Sequence, residues 1–141
     1  MKKIIVCSLF IILSIFPLFT GCWQMEFSSR QFKSKVGKEI YTGLSTPAHV
    51  KIEGMRTLTQ SEIEKLQSFL LEDKGYIFNR TKKCLFIPEI TVTFEGKEQV
   101  VAMISFVCKQ IKLIHDDQTV ILDIDPMAEV FSNYIQKELI K

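Results

Sequence analysis

The sequence has little net charge and few of the residues that catalytic motifs need. Its 18 basic and 16 acidic side chains leave a net charge of +2, and Lys2 and Lys3 supply that excess. This balance argues against a general electrostatic grip on nucleic acid, so we expect no nucleic-acid partner. Only two histidines are present, His49 and His115. The chain also lacks a glycine-rich phosphate loop, a Gly-x-Ser-x-Gly elbow and a His-Glu-x-x-His pair, so we assign no catalytic residue and no cofactor.

The length and the apolar content predict a single folded domain. Hydrophobic residues make up 47% of the 141 residues and charged residues 24%, which is the balance of a globular chain. These values exclude a disordered tail, a collagen-like repeat and a coiled rod. The length leaves room for one domain of ordinary size.

The longest apolar run stands at the N-terminus. Met1-Lys2-Lys3 is followed by residues 4–19, which only two serines and one proline interrupt. A basic start followed by about 15 apolar residues is typical of a secretory signal, because a helix that spans a bilayer needs about 20. The sequence therefore predicts export of the rest of the chain, with the two lysines held inside the cell.

The signal ends at Leu18-Phe19-Thr20-Gly21-Cys22, which resembles the lipobox of bacterial lipoproteins. The two residues before the cysteine fit that pattern, whereas Phe19 stands where the family prefers Leu, Val or Ile. The resemblance implies that residues 1–21 are a cleaved signal peptide and that Cys22 receives diacylglycerol on its sulfur, often with a further chain such as palmitate on its amine. An uncleaved signal anchor and ordinary cleavage are the alternatives, and both still export the chain.

Lipid on Cys22 implies a location for the protein. Two acyl chains hold a protein at a membrane surface where one does not, so membrane lipid is the first expected partner. We expect a lipid-anchored protein on the exported side of the membrane. If the cell has two membranes, the outer membrane or the cell surface is expected, because Trp23 is not the acidic second residue that retains lipoproteins at the inner membrane.

Residues 22–47 are expected to form the lipidated N-terminus and a tether. Ser, Lys, Gln, Gly and Thr dominate this stretch, and its apolar residues, among them Phe32 and Ile40, are spaced neither like a helix stripe nor like a strand. The single domain is then expected over residues 48–141, with the alternative that at least part of the tether packs back onto it.

Residues 48–141 carry the pattern of an α+β domain. Thr59-Gln60-Ser61-Glu62 is a capping box that begins one helix, and Asp125-Pro126 suits the N-cap and first residue of a closing helix. We expect an antiparallel sheet with two helices packed on one face, in the order β-α-β-β-β-α, after the cleaved N-terminal signal helix. Alternating apolar residues predict the strands over residues 50–55, 85–94, 98–108 with a continuation at 110–114, and 119–124.

The two central strands flank a turn at Glu95-Gly96-Lys97. If residue 96 is the midpoint, the register places Phe86 opposite Phe106 on an apolar face. The same register places Cys84 opposite Cys108. Because an exported domain meets an oxidising compartment, we expect these two cysteines to form a disulfide.

Other states of these cysteines stay open. Reduced core thiols, a redox pair, and a zinc site shared with His49 and His115 are the alternatives to the disulfide. Cys84-Leu85-Phe86-Ile87-Pro88 and Phe106-Val107-Cys108 resemble a strand hairpin of small uncharacterised bacterial envelope proteins. That resemblance supports the bridge and implies no activity.

One local group of side chains offers metal ligands. His115, Asp116 and Asp117 stand together in a turn between two expected strands. Aspartates suit such turns for backbone reasons and keep their charges in water, so a metal site at these three residues is the weaker alternative to a structural turn.

These patterns favour a membrane-anchored exported lipoprotein that acts as a binding or scaffold module in the cell envelope. The expected partners are membrane lipid, through acylated Cys22, and a protein or envelope component. The alternative class is a small envelope hydrolase or a metal-dependent enzyme, in which His115, Asp116 and Asp117 are the candidate ligands.

Overall fold

The computed structural model describes residues 28–141, so the signal peptide expected over residues 1–21 and the lipid expected on Cys22 lie outside the described residues. The described chain forms one antiparallel sheet in which strands adjacent in sequence are paired. With the helices packed against it, this sheet confirms the predicted α+β class. The strands are β1 (His49–Ile52), β2 (Ile90–Glu95), β3 (Val100–Ser105), β4 (Gln110–His115) and β5 (Gln118–Asp123), and the helices are α1 (Arg30–Val36), α2 (Lys38–Ser45), α3 (Gln60–Leu70) and α4 (Ala128–Tyr134), which continues as a π-helical turn over Ile135–Leu139.

One face of the sheet is buried because apolar side chains alternate with more exposed ones along its central strands. Val92 on β2, Ala102 on β3 and Leu113 on β4 are paired neighbours and are fully buried. Met103 and Lys112 alternate with them, face the other way and stay partly exposed. Burial of a Val- or Leu-sized side chain contributes about 1.5 to 3 kcal/mol. The core therefore lies between this one face and the helices.

Helix α3 begins where the sequence predicts. The Thr59 hydroxyl accepts the N–H of Glu62, and the Glu62 carboxylate accepts the N–H of Thr59 at 2.8 Å. The Arg56 guanidinium donates to the same carboxylate at 2.7 Å. The hydrogen bonds from Arg56 and Thr59 lower the pKa of Glu62 to about 2. The predicted capping box is thus confirmed and carries an added ion pair.

The central hairpin has a different register from the predicted one. β2 ends at Glu95 and β3 begins at Val100, so residues 96–99 form a longer connection than expected. Phe94 pairs with Val100, and the sum of paired residue numbers is two higher than predicted. Because side chains alternate with a period of two along a strand, a shift of two residues leaves each on its own face. The predicted core face is therefore correct, although the predicted register is wrong by two residues.

The segment expected to continue β3 is instead a separate strand. The chain reverses through residues 106–109, and β4 returns antiparallel to β3. Lys109 makes the reversal possible by adopting a φ of 50°, the left-handed region that turns use. The sheet therefore has five strands, one more than predicted.

Phe86 and Phe106 do not face each other. Phe86 lies ahead of β2, where the Nζ of Lys112 stands 4.7 Å from its ring centroid. Phe106 packs edge-on against Phe131 of α4 at 5.7 Å. The apolar run before β2 thus leaves the core, in contrast to the expectation.

Two packed helices stand where a tether is expected. Their apolar residues recur every four positions and are fully buried: Phe32, Val36, Ile40 and Leu44. That spacing places them on one side of a helical path, towards the core. Gly37, with a φ of 87°, separates α1 from α2. The packed domain therefore extends to α1, and the element order is α-α-β-α-β-β-β-β-α rather than β-α-β-β-β-α.

Phe32 tests whether the N-terminal helices belong to the core. The Phe32 ring is fully buried and stacks on Tyr76 with centroids 4.9 Å apart. We expect Phe32→Ala to lower the free energy of unfolding by about 3 to 5 kcal/mol, because the change removes a buried ring and leaves a cavity. Urea unfolding measures it, with Val130→Ala on the exposed side of α4 as the control. A loss below about 0.5 kcal/mol, the size of an ordinary surface change, contradicts the packing.

Candidate functional site

The predicted disulfide is present and ties two loops together. Cys84 and Cys108 are bonded, with their Cα atoms 5.9 Å apart. The bond joins the segment that leads into β2 to the turn between β3 and β4. Both cysteines lie outside the strands, so the bond forms despite the shifted strand register. We call residues 82–88 and 106–109 together the disulfide tip.

Hydrogen bonds fix the turn of the disulfide tip. The Glu89 carboxylate accepts the N–H groups of Phe106 and Val107, the latter at 3.2 Å. The Ser105 hydroxyl accepts the N–H of Cys108 at 3.3 Å. With the disulfide, these contacts leave the loop few alternative conformations.

The disulfide tip presents apolar side chains to solvent. Leu85 is 82% exposed, Ile87 62% and Val107 84%. Leu85 follows one bridged cysteine and Val107 precedes the other, so the most exposed apolar side chains of this tip flank the disulfide. Single exposed apolar residues are common on protein surfaces, whereas a group of them marks an interaction site.

A charged network supports the disulfide tip from the end of β5. The Asp123 side chain is fully buried and lies 2.6 Å from the Arg80 Nε and 2.9 Å from the Lys82 Nζ. Asp125 accepts from Arg80 at 2.6 Å and from Lys109 at 3.0 Å. Three cations thus surround two carboxylates.

The network shifts the titration of both carboxyl groups. Burial alone raises the pKa of Asp123, but the hydrogen bonds from Arg80 and Lys82 outweigh it and the pKa is lowered. Hydrogen bonds from Arg80 and Lys109 lower the pKa of Asp125 to about 2. Both groups are therefore charged at neutral pH, so the surplus of one positive charge remains in place.

Two further lysines add to the positive charge of the tip. Lys83 is exposed within the tip, and Lys112 lies on β4 against the ring of Phe86. Neither takes part in an ion pair with another residue of the described chain. The disulfide tip therefore carries exposed aliphatic side chains, and cations lie within it and beside it.

Asp125 has a different role from the predicted one. The closing helix α4 begins at Ala128, two residues beyond Pro126, and its N-cap position is Met127. The Asp125 side chain binds Arg80 and Lys109 instead of capping the helix. The Asp125-Pro126 motif predicts the start of the helix to within a few residues. It does not predict that the Asp125 carboxylate pairs with Arg80 and Lys109, because these cations are distant in sequence.

The three residues of the metal alternative do not form one cluster. The His115 Nδ1 lies 2.8 Å from the Gln99 carbonyl oxygen, and its Nε2 lies 3.3 Å from Glu98 and 3.6 Å from Asp116. Asp117 makes no contact with the ring within ion-pair distance in the described chain. Within residues 28–141 no three His, Cys, Asp or Glu side chains gather in a way that suits a metal ion.

His115, at the end of β4, contacts the connection between β2 and β3 and is not an exposed turn residue. Its side chain is only 12% exposed. The hydrogen bond to Gln99 and the neighbouring carboxylates of Asp116 and Glu98 raise its pKa above the usual value. The alternative zinc set of the two histidines with Cys84 and Cys108 is overturned, because both sulfur atoms are used in the disulfide.

Sequence reasoning found the two cysteines of the tip but not its surroundings. Arg80, Lys82 and Lys109 gave no signal, because their carboxylate partners follow more than ten residues later. Alternation predicts a strand from residue 85 with Phe86 on the core face, but residues 85–88 lie ahead of β2, so the exposed group of Leu85 and Ile87 has no signal in that pattern. A charge count around the cysteines is the one signal that marks this end of the domain as basic.

Comparison with protein families, with curated proteins and with solved structures found no match to this chain. None of the helices in residues 28–141 is long and apolar enough to cross a membrane.

The ion pairs of Asp125 make the stability of the domain depend on pH in the acid range. Its pKa of about 2 lies below the ordinary 3.8, so its contribution to stability is complete above about pH 4 and is lost as the pH falls towards 2. We expect Asp125→Asn to make the fall of the melting temperature between these pH values shallower than in the parent. Asp117→Asn, in the exposed turn before β5, is the control and should leave the slope unchanged. An unchanged slope in Asp125→Asn contradicts the network.

The disulfide is expected to stabilise the domain because the loop that it closes lowers the conformational entropy of the unfolded chain. It closes a loop with a sequence separation of 24 residues. Replacing both cysteines, Cys84→Ala with Cys108→Ala, should lower the free energy of unfolding by about 2 to 5 kcal/mol. Urea unfolding of both forms without reductant measures the loss. If the loss is also seen between two parent samples that differ only in reductant, the bond itself is the cause.

Proposed function

We propose that this chain is an exported lipoprotein, anchored to a membrane through acylated Cys22, whose domain acts as a binding module in the cell envelope. The observation that carries the proposal is the disulfide between Cys84 and Cys108. Structural disulfides persist in oxidising compartments outside the cytosol. The basic start and apolar run of residues 1–19 supply a route to such a compartment.

The lipobox-like sequence supplies the anchor. Cys22 follows Gly21 at the end of the apolar run, as in bacterial lipoproteins. Each buried methylene contributes about 0.8 kcal/mol, so two or three acyl chains give stable attachment without a spanning helix. A lipid anchor is therefore consistent with a domain of this size on a membrane surface.

The disulfide tip supports binding rather than another kind of function. Leu85, Ile87 and Val107 are held out from the core by a covalent bond and by hydrogen bonds. A rigid apolar group loses little conformational entropy when it is covered, which favours association. The residues of this tip thus have the properties of a contact surface.

Cys22 tests the anchor directly. Mass spectrometry of the N-terminal peptide should show diacylglycerol on Cys22 of the parent protein. We expect Cys22→Ser to carry no lipid and to keep residues 1–21, because no other cysteine stands at the end of the apolar run. Cys7→Ser, a change inside that run, is the matched control and should leave lipidation intact. Lipid retained by Cys22→Ser, or absent from the parent, contradicts the proposal.

A further inference from the structure

We propose that the disulfide tip is a second lipid contact, which seats the domain on the anionic surface of the membrane that holds Cys22. The inference rests on the proposed function, because it needs the anchor to bring the domain to the bilayer. It assigns the exposed side chains Leu85, Ile87 and Val107 to the interfacial layer of lipid. The lysines around them are assigned to the headgroups.

Ser28, the first residue that the structure describes, lies close to the end of the sheet that carries the disulfide tip. The Ser28 carbonyl accepts the N–H of Asp73 at 2.7 Å, and the Asp73 carboxylate accepts the N–H of Phe32 at 2.8 Å. Four residues after Asp73, the N–H of Ile77 donates to the Asp123 carbonyl at 3.0 Å. Asp123 is the last residue of β5, so these contacts lead from the chain start to that end of the sheet.

The same end of the sheet carries the disulfide. Asp123 pairs with Gln110, the first residue of β4, and Cys108 stands two residues before Gln110. The Lys82 Nζ lies 2.9 Å from the Asp123 carboxylate and 3.4 Å from the Cys108 carbonyl oxygen. Ser28 and the disulfide tip therefore lie at the same end of the domain.

The distance along the chain from the anchor is short. Five residues stand between Cys22 and Ser28. Even fully extended, the chain from Cys22 to Ser28 spans at most about 20 Å, which is less than the width of a small domain. With Cys22 in the bilayer, Ser28 stays within that distance of the lipid, which holds the end of the domain that also carries the tip towards the membrane.

The tip combines the two kinds of side chain that lipid surfaces bind. Aliphatic residues enter the boundary between headgroups and acyl chains, and lysines interact with anionic headgroups. Lys83 and Lys112 carry charge that is not paired within the described chain, and the network around Asp123 adds a further surplus. The Glu89 carboxylate also lies at the tip, on the N–H groups of Phe106 and Val107. With it included, cations still outnumber carboxylates around these aliphatic side chains: Arg80, Lys82, Lys83, Lys109 and Lys112 against Glu89, Asp123 and Asp125.

Tryptophan fluorescence tests the inference on the full lipidated chain. Trp23 is the single tryptophan of the sequence, so a Trp23→Phe parent is free of background emission. Leu85→Trp and Val107→Trp are made in that parent, and Asp117→Trp, in the exposed turn between β4 and β5 at the opposite end of the sheet, is the matched control. Each protein is reconstituted in vesicles of phosphatidylglycerol and phosphatidylcholine in equal parts, with or without bromine on the acyl chains.

Brominated lipid should quench the two tip variants and spare the control. We expect emission from Leu85→Trp and Val107→Trp to fall by about half, because a side chain in the interfacial layer contacts the acyl chains. Emission from Asp117→Trp should stay unchanged. The quenching should weaken when phosphatidylglycerol is omitted, because the lysines then lose their anionic partners.

The failure of this inference differs from failure of the anchor. A protein that sediments with the vesicles but shows no quenching at the tip, or equal quenching at Asp117→Trp, overturns the second contact and leaves the anchor standing. A protein that stays in the supernatant overturns both. If the emission of Leu85→Trp shifts in native membranes but not in vesicles, a protein covers the tip and the lipid contact is wrong.

Discussion

The arrangement of this domain depends on one buried carboxylate at the end of β5. The Asp123 side chain is fully buried, its carbonyl pairs with Ile77, and its carboxylate holds Arg80 and Lys82. It thereby connects the edge of the sheet, the segment that follows α3 and the disulfide tip. A buried charge is costly unless it is paired and hydrogen-bonded, and removal of its partners leaves that cost uncompensated. The position of the tip relative to the sheet is therefore fixed by electrostatics as well as by the disulfide.

The packing of the sheet explains why the aliphatic side chains of the tip are left exposed. Its buried face is filled by side chains from the strands and the helices, with Phe32, Phe94 and Phe131 among the largest. The tip lies beyond the ends of β3 and β4 and contributes only Phe106 and Cys108 to the packing. Its aliphatic side chains are thus not needed to close the core. The apolar surface that they expose is available to whatever covers this end of the domain.

The sequence predicts the class of the fold more reliably than its connections. Local patterns carry the capping box at Thr59 and the inward faces of β2 and β3, because capping and alternation depend on neighbouring residues. Alternation has a period of two, so it does not distinguish registers that differ by two residues. The two N-terminal helices were missed because polar residues dominate residues 28–47, although every fourth residue from Phe32 to Leu44 is buried. In the candidate site, the cysteine pair was predictable and the ion pairs around Asp123 were not, since Arg80 and Lys82 are more than 40 residues away from it.

The segment before β2 is where sequence and structure differ most. The sequence predicts a strand from residue 85, with Phe86 facing the core, yet β2 begins at Ile90, and Leu85 and Ile87 are largely exposed. The disulfide explains the difference, because Cys84 is held at the turn after β3 and the chain must pass outside the sheet to reach Ile90. Apolar side chains in water lose the stabilisation that burial would contribute, while the disulfide and the hydrogen bonds from Phe106 and Val107 to Glu89 hold the two segments that carry them. Covering Leu85, Ile87 and Val107 would regain that stabilisation, and the proposed lipid contact uses this gain.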